Sequence, residues 1–399
     1  MLPSQIPQLL KQGKTTQALN ELREYLSRNQ ENISAETWHQ ASVLEEQYGD
    51  WNLAGQAHKI CIDLAGNNPI ALLYAGHWLE KSGEDEGAAA LYSLCQDLNS
   101  AFIGLSNNSG QAENTIKRSQ SANQHLRRFL SQQHRSSLEQ DEYSRIKNAI
   151  WMRTHDQAIE FSKDYAPALF WVSDLNQRAF YPDSLFCWAK ELLLEAQNIK
   201  QELENFLARD LSQDFVRPYL QGLPTDYQNL SELVNSTNWS AIDLYKDGQA
   251  QDEITAAFPK TNATLEKIPC YKLGDVPFEA FFSILKAGQV IQPHYGQSNH
   301  SLTVHLPILI PGDGFLEVNG EKRSWSEDEL IIFDDNFLHS AVNKSDKDRI
   351  VLIFSIWHPN LTKNEQIAIQ TAFKVRARWL ENRWHIVTNS FNEALPSAN

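Results

Sequence analysis

The polar and apolar positions of the first hundred residues predict helices, and two stretches repeat each other. QYGDWNLAGQAHKIC (47–61) and KSGEDEGAAALYSLC (81–95) align at an offset of 34 residues. The aligned identities are Gly49 with Gly83, Ala54 with Ala88, and Cys61 with Cys95. An earlier stretch, KQGKTTQAL (11–19), has its glycine and alanine 36 residues before those of the first copy. This part of the chain is therefore predicted to consist of repeated helical units.

A 34-residue period, with glycine followed five residues later by alanine, resembles the tetratricopeptide repeat (TPR). In such a unit the glycine ends one helix, and the small alanine lets two helices pack closely. The resemblance implies TPR-like helical repeats over residues 1–110, which usually present a groove to a peptide or protein. A helical packing domain that binds no ligand is the alternative for this region.

The middle of the chain changes character twice. Residues 103–124 are polar and predict a loop, whereas 125–165 predict further helix, so we expect a helical connector over 111–165. LFWVSDL (169–175) is aromatic and typical of a strand. The stretch 186–208 has apolar positions three and four residues apart, which predicts a long amphipathic helix.

From about residue 238 the hydrophobic period becomes two, which predicts short strands separated by turns. Six segments have this pattern: 239–248, 278–288, 301–310, 314–320, 328–335 and 349–359. So many short strands favour a β-sandwich or barrel. Residues 361–384 return to a helical pattern, and 386–399 are expected to form a flexible tail. The chain is thus predicted to be an α+β multidomain protein.

Composition and charge narrow the function classes. Apolar residues make up 42% and charged residues 21% of the 399 residues, which is ordinary for a soluble globular protein. The formal charge of −15 argues against binding to a phosphate backbone, so no nucleic-acid partner is expected. The basic stretch 117–129 is interpreted as a solvated helix face.

Cysteine spacing and hydropathy favour a cytoplasmic protein. The four cysteines include no pair with C-x-x-C spacing and are too few for a disulfide framework in so long a chain. The N-terminal residues MLPSQIPQLLKQGK lack the basic and then apolar pattern of a signal peptide. The longest apolar runs, such as LPILI (306–310), are far too short to span a membrane.

Histidines are concentrated in the β region, where five of the twelve lie between positions 294 and 358. His294 stands at a predicted strand end, and His339 follows a strand and an acidic turn, IIFDDNFLH. Two neutral imidazoles placed in this way can bind Fe(II). Arg349 opens the next strand and can hold a carboxylate in bidentate fashion. The alternatives are satisfied polar residues at strand ends and, for the arginine, an ion pair with Asp334 or Asp335.

Six ordered segments carry a resemblance to a known family. They are FSILKAG (282–288), PHYGQSN (293–299), VHLPILIP (304–311), IIFDDNFLH (331–339), RIVLIF (349–354) and WHPNL (357–361). This span resembles the double-stranded β-helix of Fe(II)/2-oxoglutarate dioxygenases, and more closely the aspartyl/asparaginyl β-hydroxylase family. The resemblance covers about the second half of the chain. It implies a jelly-roll, cupin-like domain with flanking helices over residues 166–385.

The resemblance also implies an iron site. His294 and His339 would ligate Fe(II), and Gly296 would stand where other dioxygenases have a carboxylate ligand. Members of this family lack that carboxylate, and water fills the vacant position. The alternative is that Gly296 marks an inactive site.

The co-substrate 2-oxoglutarate would lie beside the iron. By the same resemblance, Arg349 and Ser283 would bind its distal carboxylate, and His305 would contact it from the barrel interior. The alternation in SLTVHL places Thr303 and His305 on one face of their strand. His305 can therefore face the same cavity as the metal. A small core serine and a buried strand histidine are the alternatives for Ser283 and His305.

The expected substrate is less defined. Peptide-hydroxylating family members carry arginines two and four residues before the second motif histidine, where this chain has Thr303 and Ser301. Together with Asn299, these are the candidate substrate contacts. The resemblance implies that O₂ hydroxylates an unactivated C–H, such as a β-carbon in a peptide or protein, while 2-oxoglutarate becomes succinate. The alternatives are a TPR scaffold with an inactive β-domain, and a lipid or small-molecule hydroxylase.

Overall fold

The computed structural model describes residues 2–29, 32–139, 143–157, 159–209, 212–224 and 228–395. The chain divides into two compact units. A helical unit comprises Met1–Ser136, Thr154–Asp156 and Val375–Asn399, and a sheet unit comprises Ser137–Arg153 and Gln157–Lys374. Within the described ranges, no helix has both the length and the apolar character that crossing a membrane requires.

The helical unit is built from consecutive helices joined by short turns. They are α1 (Gln5–Lys11), α2 (Thr15–Arg28), α3 (Ala35–Tyr48), α4 (Trp51–Leu64), α5 (Pro69–Lys81), α6 (Asp85–Leu98) and α7 (Glu113–Ser136). Side-chain caps set several of the helix starts. Asp50 accepts hydrogen bonds from the backbone at the start of α4, and Asn68 does the same for α5, where Pro69 takes the first helical position.

Helices α3 and α5 begin 34 residues apart, at Ala35 and Pro69, and α4 and α6 keep the same offset. The repeated cysteines occupy equivalent places in the two helix pairs. Cys61 Sγ donates to the carbonyl oxygen of Ala35, and Cys95 Sγ donates to that of Pro69. Both thiols are buried in the core of the helical unit. The tetratricopeptide character of these pairs stays a prediction.

The C-terminal helix α12 (Lys363–Ala394) ends inside the helical unit. Trp379, Val387 and Phe391 are buried in the core of that unit, and the Phe391 ring stacks on Trp78 with centroids 5.5 Å apart. The expected flexible tail over 386–399 is therefore helical as far as Ala394. Residues 396–399 lie outside the described part of the chain.

The connector expected over 111–165 takes a different form. Helix α7 already begins at Glu113, within the stretch that was predicted to be a loop. Its buried residues form a narrow stripe among many polar ones, and the sequence pattern therefore did not predict a helix there. Among the described residues between Ser136 and the end of this connector, α8 (Ser144–Lys147) is the one helix, and Ile150–Trp151 form strand β1. This strand pairs with β2 (Phe170–Trp171), the short strand within the aromatic stretch LFWVSDL.

The sheet unit carries two further antiparallel sheets. The larger contains β3 (Phe180–Tyr181), β4 (Arg217–Pro218), β5 (Trp239–Lys246), β6 (Gln249–Ala250), β7 (Ala280–Leu285), β9 (Ser301–Leu309), β12 (Ile331–Phe333) and β14 (Arg349–Trp357). The smaller contains β8 (Val290–His294), β10 (Gly314–Val318), β11 (Glu321–Arg323) and β13 (His339–Asn343). Helices α9 (Ala189–Leu207), α10 (Asp252–Thr255) and α11 (Pro259–Glu266) complete the unit.

Apart from the hairpin β10–β11, strands β7 to β14 alternate between the two sheets. Their order is β12-β9-β14-β7 in the larger sheet and β11-β10-β13-β8 in the smaller. Two facing four-stranded layers connected in this way form a jelly roll. The antiparallel β-rich domain predicted from the sequence is therefore confirmed, and β8 and β13 are strands that the hydrophobic pattern did not predict.

Period-two alternation gives the larger sheet two different faces. On β14, Leu352 and Phe354 pack in a core that includes Leu203 of α9, whereas Val351 and Ile353 pack toward the smaller sheet. The polar residues of the predicted site occupy this second face. The jelly roll therefore directs them into the space between its sheets.

Candidate active site

The backbone register of the smaller sheet brings His294 and His339 together. His294 is the last residue of β8, His339 is the first residue of β13, and the two are direct cross-strand partners. Their ring centroids lie 4.0 Å apart. Both histidines line a cavity of about 420 Å³ between the two sheets. The two residues predicted to bind iron thus lie side by side, although they are far apart in sequence.

Each of these imidazoles is oriented by its own strand. His294 Nδ1 donates to the carbonyl oxygen of Gln292 at 2.8 Å, and His339 Nδ1 donates to that of Phe337 at 3.0 Å. With the proton fixed on Nδ1, Nε2 is left as a lone-pair donor for a ligand. Burial lowers the pKa of His294 to about 4 and that of His339 well below its usual value. Both rings are neutral at physiological pH, as metal ligands must be.

Gly296 has close contact with Asp335, four residues before His339. A Cβ atom at Gly296 would overlap the Asp335 carboxyl group. That carboxyl group accepts hydrogen bonds from Thr303 Oγ1 at 3.2 Å and from Asn336 Nδ2 at 3.3 Å. Burial and the nearby Asp334 raise the pKa of Asp335 to about 8. The glycine therefore leaves room for a buried acidic side chain beside the histidines.

Within the part of the chain that the structure describes, His294 and His339 have no third metal-binding side chain close by. Across the described residues, no group of three or more His, Cys, Asp or Glu side chains is arranged to hold a metal ion. The donor set offered by the chain is a pair of imidazole nitrogens. Such a pair would leave most coordination positions of a metal open to water and to other ligands.

Arg349 is a buried cation. Its side chain is 2% exposed, and neither Nε nor Nη1 has a hydrogen-bond partner among the described residues. The guanidinium carbon lies 4.5 Å from the Trp325 ring centroid. Burial lowers the pKa of Arg349 to about 9, so the group stays charged at pH 7. A buried charge with unpaired donors needs an anion, and this one lines the same cavity as the histidines.

The alternative interpretation of Arg349, an ion pair with a neighbouring aspartate, does not fit. Asp334 accepts from the backbone and the side chain of Asn336, at 3.0 and 2.6 Å. Asp335 accepts a hydrogen bond from Thr303 on β9, which pairs with Ser355 on β14. Arg349 is the first residue of β14 and lies six residues before Ser355. The arginine is thus left free to bind a ligand.

Ser283 and His305 also line the cavity, and each is held by a tryptophan that the sequence interpretation missed. Trp239 Nε1 donates to Ser283 Oγ at 3.1 Å, and Trp325 Nε1 donates to His305 Nδ1 at 3.2 Å. Trp325 therefore contacts both His305 and Arg349. The sequence signal for Trp325 was that it is a single tryptophan within the polar stretch EKRSWSEDE. A large aromatic side chain is uncommon in an exposed turn.

Two of the three candidate substrate contacts line the cavity and one does not. Ser301 and Thr303 face into it from β9. Asn299 is 1% exposed, and its side chain bonds the backbone N–H and carbonyl of Val172, both at 2.8 Å. The structure therefore corrects the prediction for Asn299. Its amide fastens the segment after β2 to the start of β9, because all of its polar atoms are used there.

Two more histidines differ in their surroundings. His300 is 1% exposed and lines the cavity. Its aromatic neighbours Tyr271 and Phe373 are distant in sequence, so the local sequence pattern carries no signal of its burial. His358 packs at the end of the last strand, β14. Its Nε2 lies 3.0 Å from the Tyr181 hydroxyl and 3.1 Å from the Asn176 carbonyl oxygen.

The strand order makes the sheet unit a jelly-roll domain whose polar inner face is suited to binding a ligand between its sheets. A family model described as aspartyl/asparaginyl beta-hydroxylase matches residues 194–359, a span that includes β5 to β14. This part of the chain is therefore similar to the aspartyl/asparaginyl β-hydroxylase family. The resemblance drawn from the six sequence segments is confirmed.

Curated relatives agree with this assignment. Aspartate beta-hydroxylase domain-containing protein 2 of Xenopus tropicalis is 30% identical over 213 residues, which cover 52% of this chain and 54% of that protein. Human aspartyl/asparaginyl beta-hydroxylase is 32% identical over 145 residues, or 36% of this chain and 18% of that protein. The ornithine lipid ester-linked acyl 2-hydroxylase of Rhizobium tropici is 28% identical and covers 51% of this chain and 72% of that protein.

The matched span is only part of most of these proteins. The chain covers about half of the Xenopus relative and less than a fifth of the human one. Among solved structures, a cupin domain of an XRE-family transcriptional regulator from Enterobacter cloacae aligns with 20% of this chain and 80% of that one. The TM-score of 0.18 and the identity of 18% are too low to inform the fold.

Proposed function

We propose that the sheet unit is an Fe(II)- and 2-oxoglutarate-dependent hydroxylase. The observation that carries the proposal is a pair of neutral histidines, each with Nδ1 bonded to a backbone carbonyl, in the same cavity as a buried arginine with unpaired N–H groups. The histidine pair would bind a metal, and the arginine would pair with a carboxylate of a dicarboxylic acid. Similarity to a family named for its β-hydroxylases supports the hydroxylation chemistry.

The two histidines would hold the metal through Nε2. Nitrogen ligands suit Fe(II), and only two protein ligands would leave positions for 2-oxoglutarate, O₂ and water. When bound, the iron would supply the oxidising chemistry by which O₂ and 2-oxoglutarate give succinate, CO₂ and a hydroxylated C–H. Gly296 agrees with water in place of a carboxylate ligand, as the sequence analysis expected.

The cavity walls would position the co-substrate. Arg349 would pair with the distal carboxylate of 2-oxoglutarate, with Ser283 as a second hydrogen-bonding group. His305 would contact the same molecule from the middle of β9, held in place by Trp325. Because Nε and Nη1 of Arg349 have no hydrogen-bond partner among the described residues, the carboxylate would replace no existing partner there.

The substrate remains part of the proposal. A peptide or protein recruited by the helical unit is one possibility, and the TPR-like character of that unit would support it. A small-molecule or lipid substrate is favoured by Ser301 and Thr303 in the cavity and by the similarity to the Rhizobium acyl hydroxylase. An inactive scaffold is disfavoured because His294, His339 and Arg349 are all present and line one cavity. A cytoplasmic location also stays a prediction.

The test is succinate formation from 2-oxoglutarate with Fe(II) and O₂ and no added substrate, since oxygenases of this type turn over slowly without one. We expect the wild-type chain to form succinate and His339→Ala to form none, because a single imidazole does not hold the metal. His385→Ala is the matched control, since His385 is exposed in the helical unit. Equal succinate from wild type and His339→Ala would contradict the metal assignment.

A further inference from the structure

One end of the cavity is lined by polar groups for which the proposed chemistry has no use. Ser355 on β14 pairs with Thr303 on β9, and its hydroxyl donates to Glu279 Oε1 at 2.5 Å, just before β7. All three line the cavity. Arg349 lies on the same strand as Ser355, six residues away, which is about 20 Å along a strand. The arginine therefore does not neutralise Glu279.

His300 lies in the wall of this end of the cavity. Its side chain is 1% exposed, and neither ring nitrogen has a hydrogen-bond partner within the described part of the chain. Burial lowers the pKa of His300 to about 3, so the ring is neutral and can accept a hydrogen bond. Buried polar atoms are rarely left unpaired, which indicates that a polar group from a ligand reaches this place.

Aromatic rings complete the wall around His300. The Tyr271 centroid lies 4.6 Å from the His300 ring and 5.2 Å from that of Phe278. Phe373 packs against His300 at 5.4 Å. Tyr271, Phe278 and Phe373 all line the cavity. Aromatic faces attract cations and give nothing to carboxylates.

The charges at this end have one sign. Glu279 and Asp247 both line the cavity, and the backbone N–H of Gly248 donates to the Phe278 carbonyl oxygen, which fixes Asp247 near Glu279. Burial raises the pKa of Glu279, the hydrogen bond from Ser355 acts in the opposite direction, and the charges of Asp247 and Asp243 raise it further. Among the described residues that line the cavity, Arg349 is the one lysine or arginine, and it lies at the other end. A carboxylate here would be repelled, whereas a cation would be stabilised.

We propose that this end of the cavity binds an aliphatic ammonium or guanidinium group of the substrate. Glu279 is its counter-ion, Tyr271, Phe278 and Phe373 face the cation, and His300 accepts a hydrogen bond from it. This proposal rests on the proposed function, because it takes the cavity to be a hydroxylase active site. It assigns the substrate to the class of compounds with a basic nitrogen.

The experiment compares three probes of equal chain length that differ in charge. Binding of n-hexylamine, hexanamide and hexanoate to the full chain is measured at pH 7 by saturation-transfer NMR, in competition and without iron or O₂. We expect the amine to bind at least about tenfold more tightly than either other probe, because only a cation pairs with Glu279. Equal binding of all three, or tighter binding of hexanamide or hexanoate, would overturn the proposal.

Variants test which residue carries the preference. Glu279→Gln keeps the size and a hydrogen-bonding group but removes the charge, so amine binding should fall to the level of hexanamide. Glu253→Gln, an exposed substitution on α10, is the control that should keep the wild-type preference. His300→Phe keeps the ring but removes both nitrogens, and should weaken amine binding severalfold. Full amine preference in Glu279→Gln would contradict the assignment.

The source of the basic group is tested separately with Nα-acetyl-lysine N-methylamide. If this capped lysine binds more tightly than hexylamine, the substrate is a basic peptide side chain, and the reverse indicates a free amine. Either result supports a cation site. The binding assay is independent of succinate formation. Amine binding without succinate formation would support the cation site and refute the hydroxylase activity. Succinate formation without a preference for the amine would support the hydroxylase activity and refute the cation site.

Discussion

At the scale of single residues, the most informative group is Arg349. Its guanidinium is buried against Trp325 with unpaired N–H groups, an arrangement that costs stability unless an anion binds there. Ser283 and His305 are satisfied by tryptophan donors instead. Arg349 is therefore the residue suited to bind a charged ligand, whereas Ser283 and His305 form the walls of the cavity beside it.

Arg349→Ala should raise the concentration of 2-oxoglutarate needed for half-maximal succinate formation at least tenfold. Removing one partner of a buried charge pair costs about 2 kcal/mol or more. The measurement is a 2-oxoglutarate titration of the wild type and the variant with Fe(II) in excess. Arg323→Ala, which removes an exposed arginine from β11, should leave the titration unchanged. An unchanged requirement in Arg349→Ala would rule out its role with the co-substrate.

The sequence was informative about residues whose roles follow from a motif. His294, His339, Arg349, Ser283 and His305 were all proposed from matched segments, and all line one cavity. The surroundings of these residues could not be predicted in the same way. The contacts of Trp325 and His300 join positions far apart in sequence, and local polarity carries no record of such contacts.

At the scale of elements, two short strands carry the histidine pair. Strands β8 and β13 have five residues each, with mixed burial and without clean alternation. The predicted strands were the long, strongly apolar ones of the larger sheet, such as β9 and β14. The pairing between β8 and β13 is thus a tertiary effect, since each strand is short and becomes regular only beside its partner.

The helix pairs of the helical unit depend on close approach at one glycine. A Cβ atom at Gly55 on α4 would overlap the indole of Trp78 on α5. That indole is fully buried between Trp51 and Phe391, and its Nε1 donates to the Trp51 carbonyl oxygen at 2.9 Å. The ring therefore has no free space into which it can move.

Gly55→Ala should lower the free energy of unfolding of the helical unit by up to about 2 kcal/mol. Overpacking costs about 1–3 kcal/mol, and the gain in helix propensity offsets about 1 kcal/mol of that cost. The check is chemical denaturation followed by circular dichroism. Gln56→Ala changes the next, exposed residue of the same helix and should alter stability by less than about 0.5 kcal/mol. Increased stability in Gly55→Ala would contradict the tight packing.

At the scale of the whole molecule, the chain crosses between its two units more than once. Residues 154–156 and the last part of α12 belong to the helical unit, although the sheet unit lies between them in sequence. The changes in composition along the chain predict one boundary near residue 110 and another near 166. The sequence pattern does not predict that α12 ends among the N-terminal helices, since a long amphipathic helix has the same pattern wherever it packs.

Two deletions distinguish these boundaries. A fragment of residues 137–374 should stay monomeric, because it holds the complete core of the sheet unit. A fragment of residues 111–399 should aggregate, because Trp379, Val387 and Phe391 lose the helices that bury them. Size-exclusion chromatography with near-ultraviolet circular dichroism of both fragments is the measurement. A monomeric, folded 111–399 fragment beside an aggregated 137–374 fragment would contradict the division.

The contact between Gly296 and Asp335 has a consequence for how this site can change over generations. One nucleotide substitution converts a glycine codon into an aspartate codon, so a third protein ligand for the proposed metal is genetically close. The space that the new side chain would need is filled by the Asp335 carboxyl group. The two positions are therefore coupled, and an acid can stand at one of them only if the other gives way. A lineage that keeps Asp335 is held to two histidines.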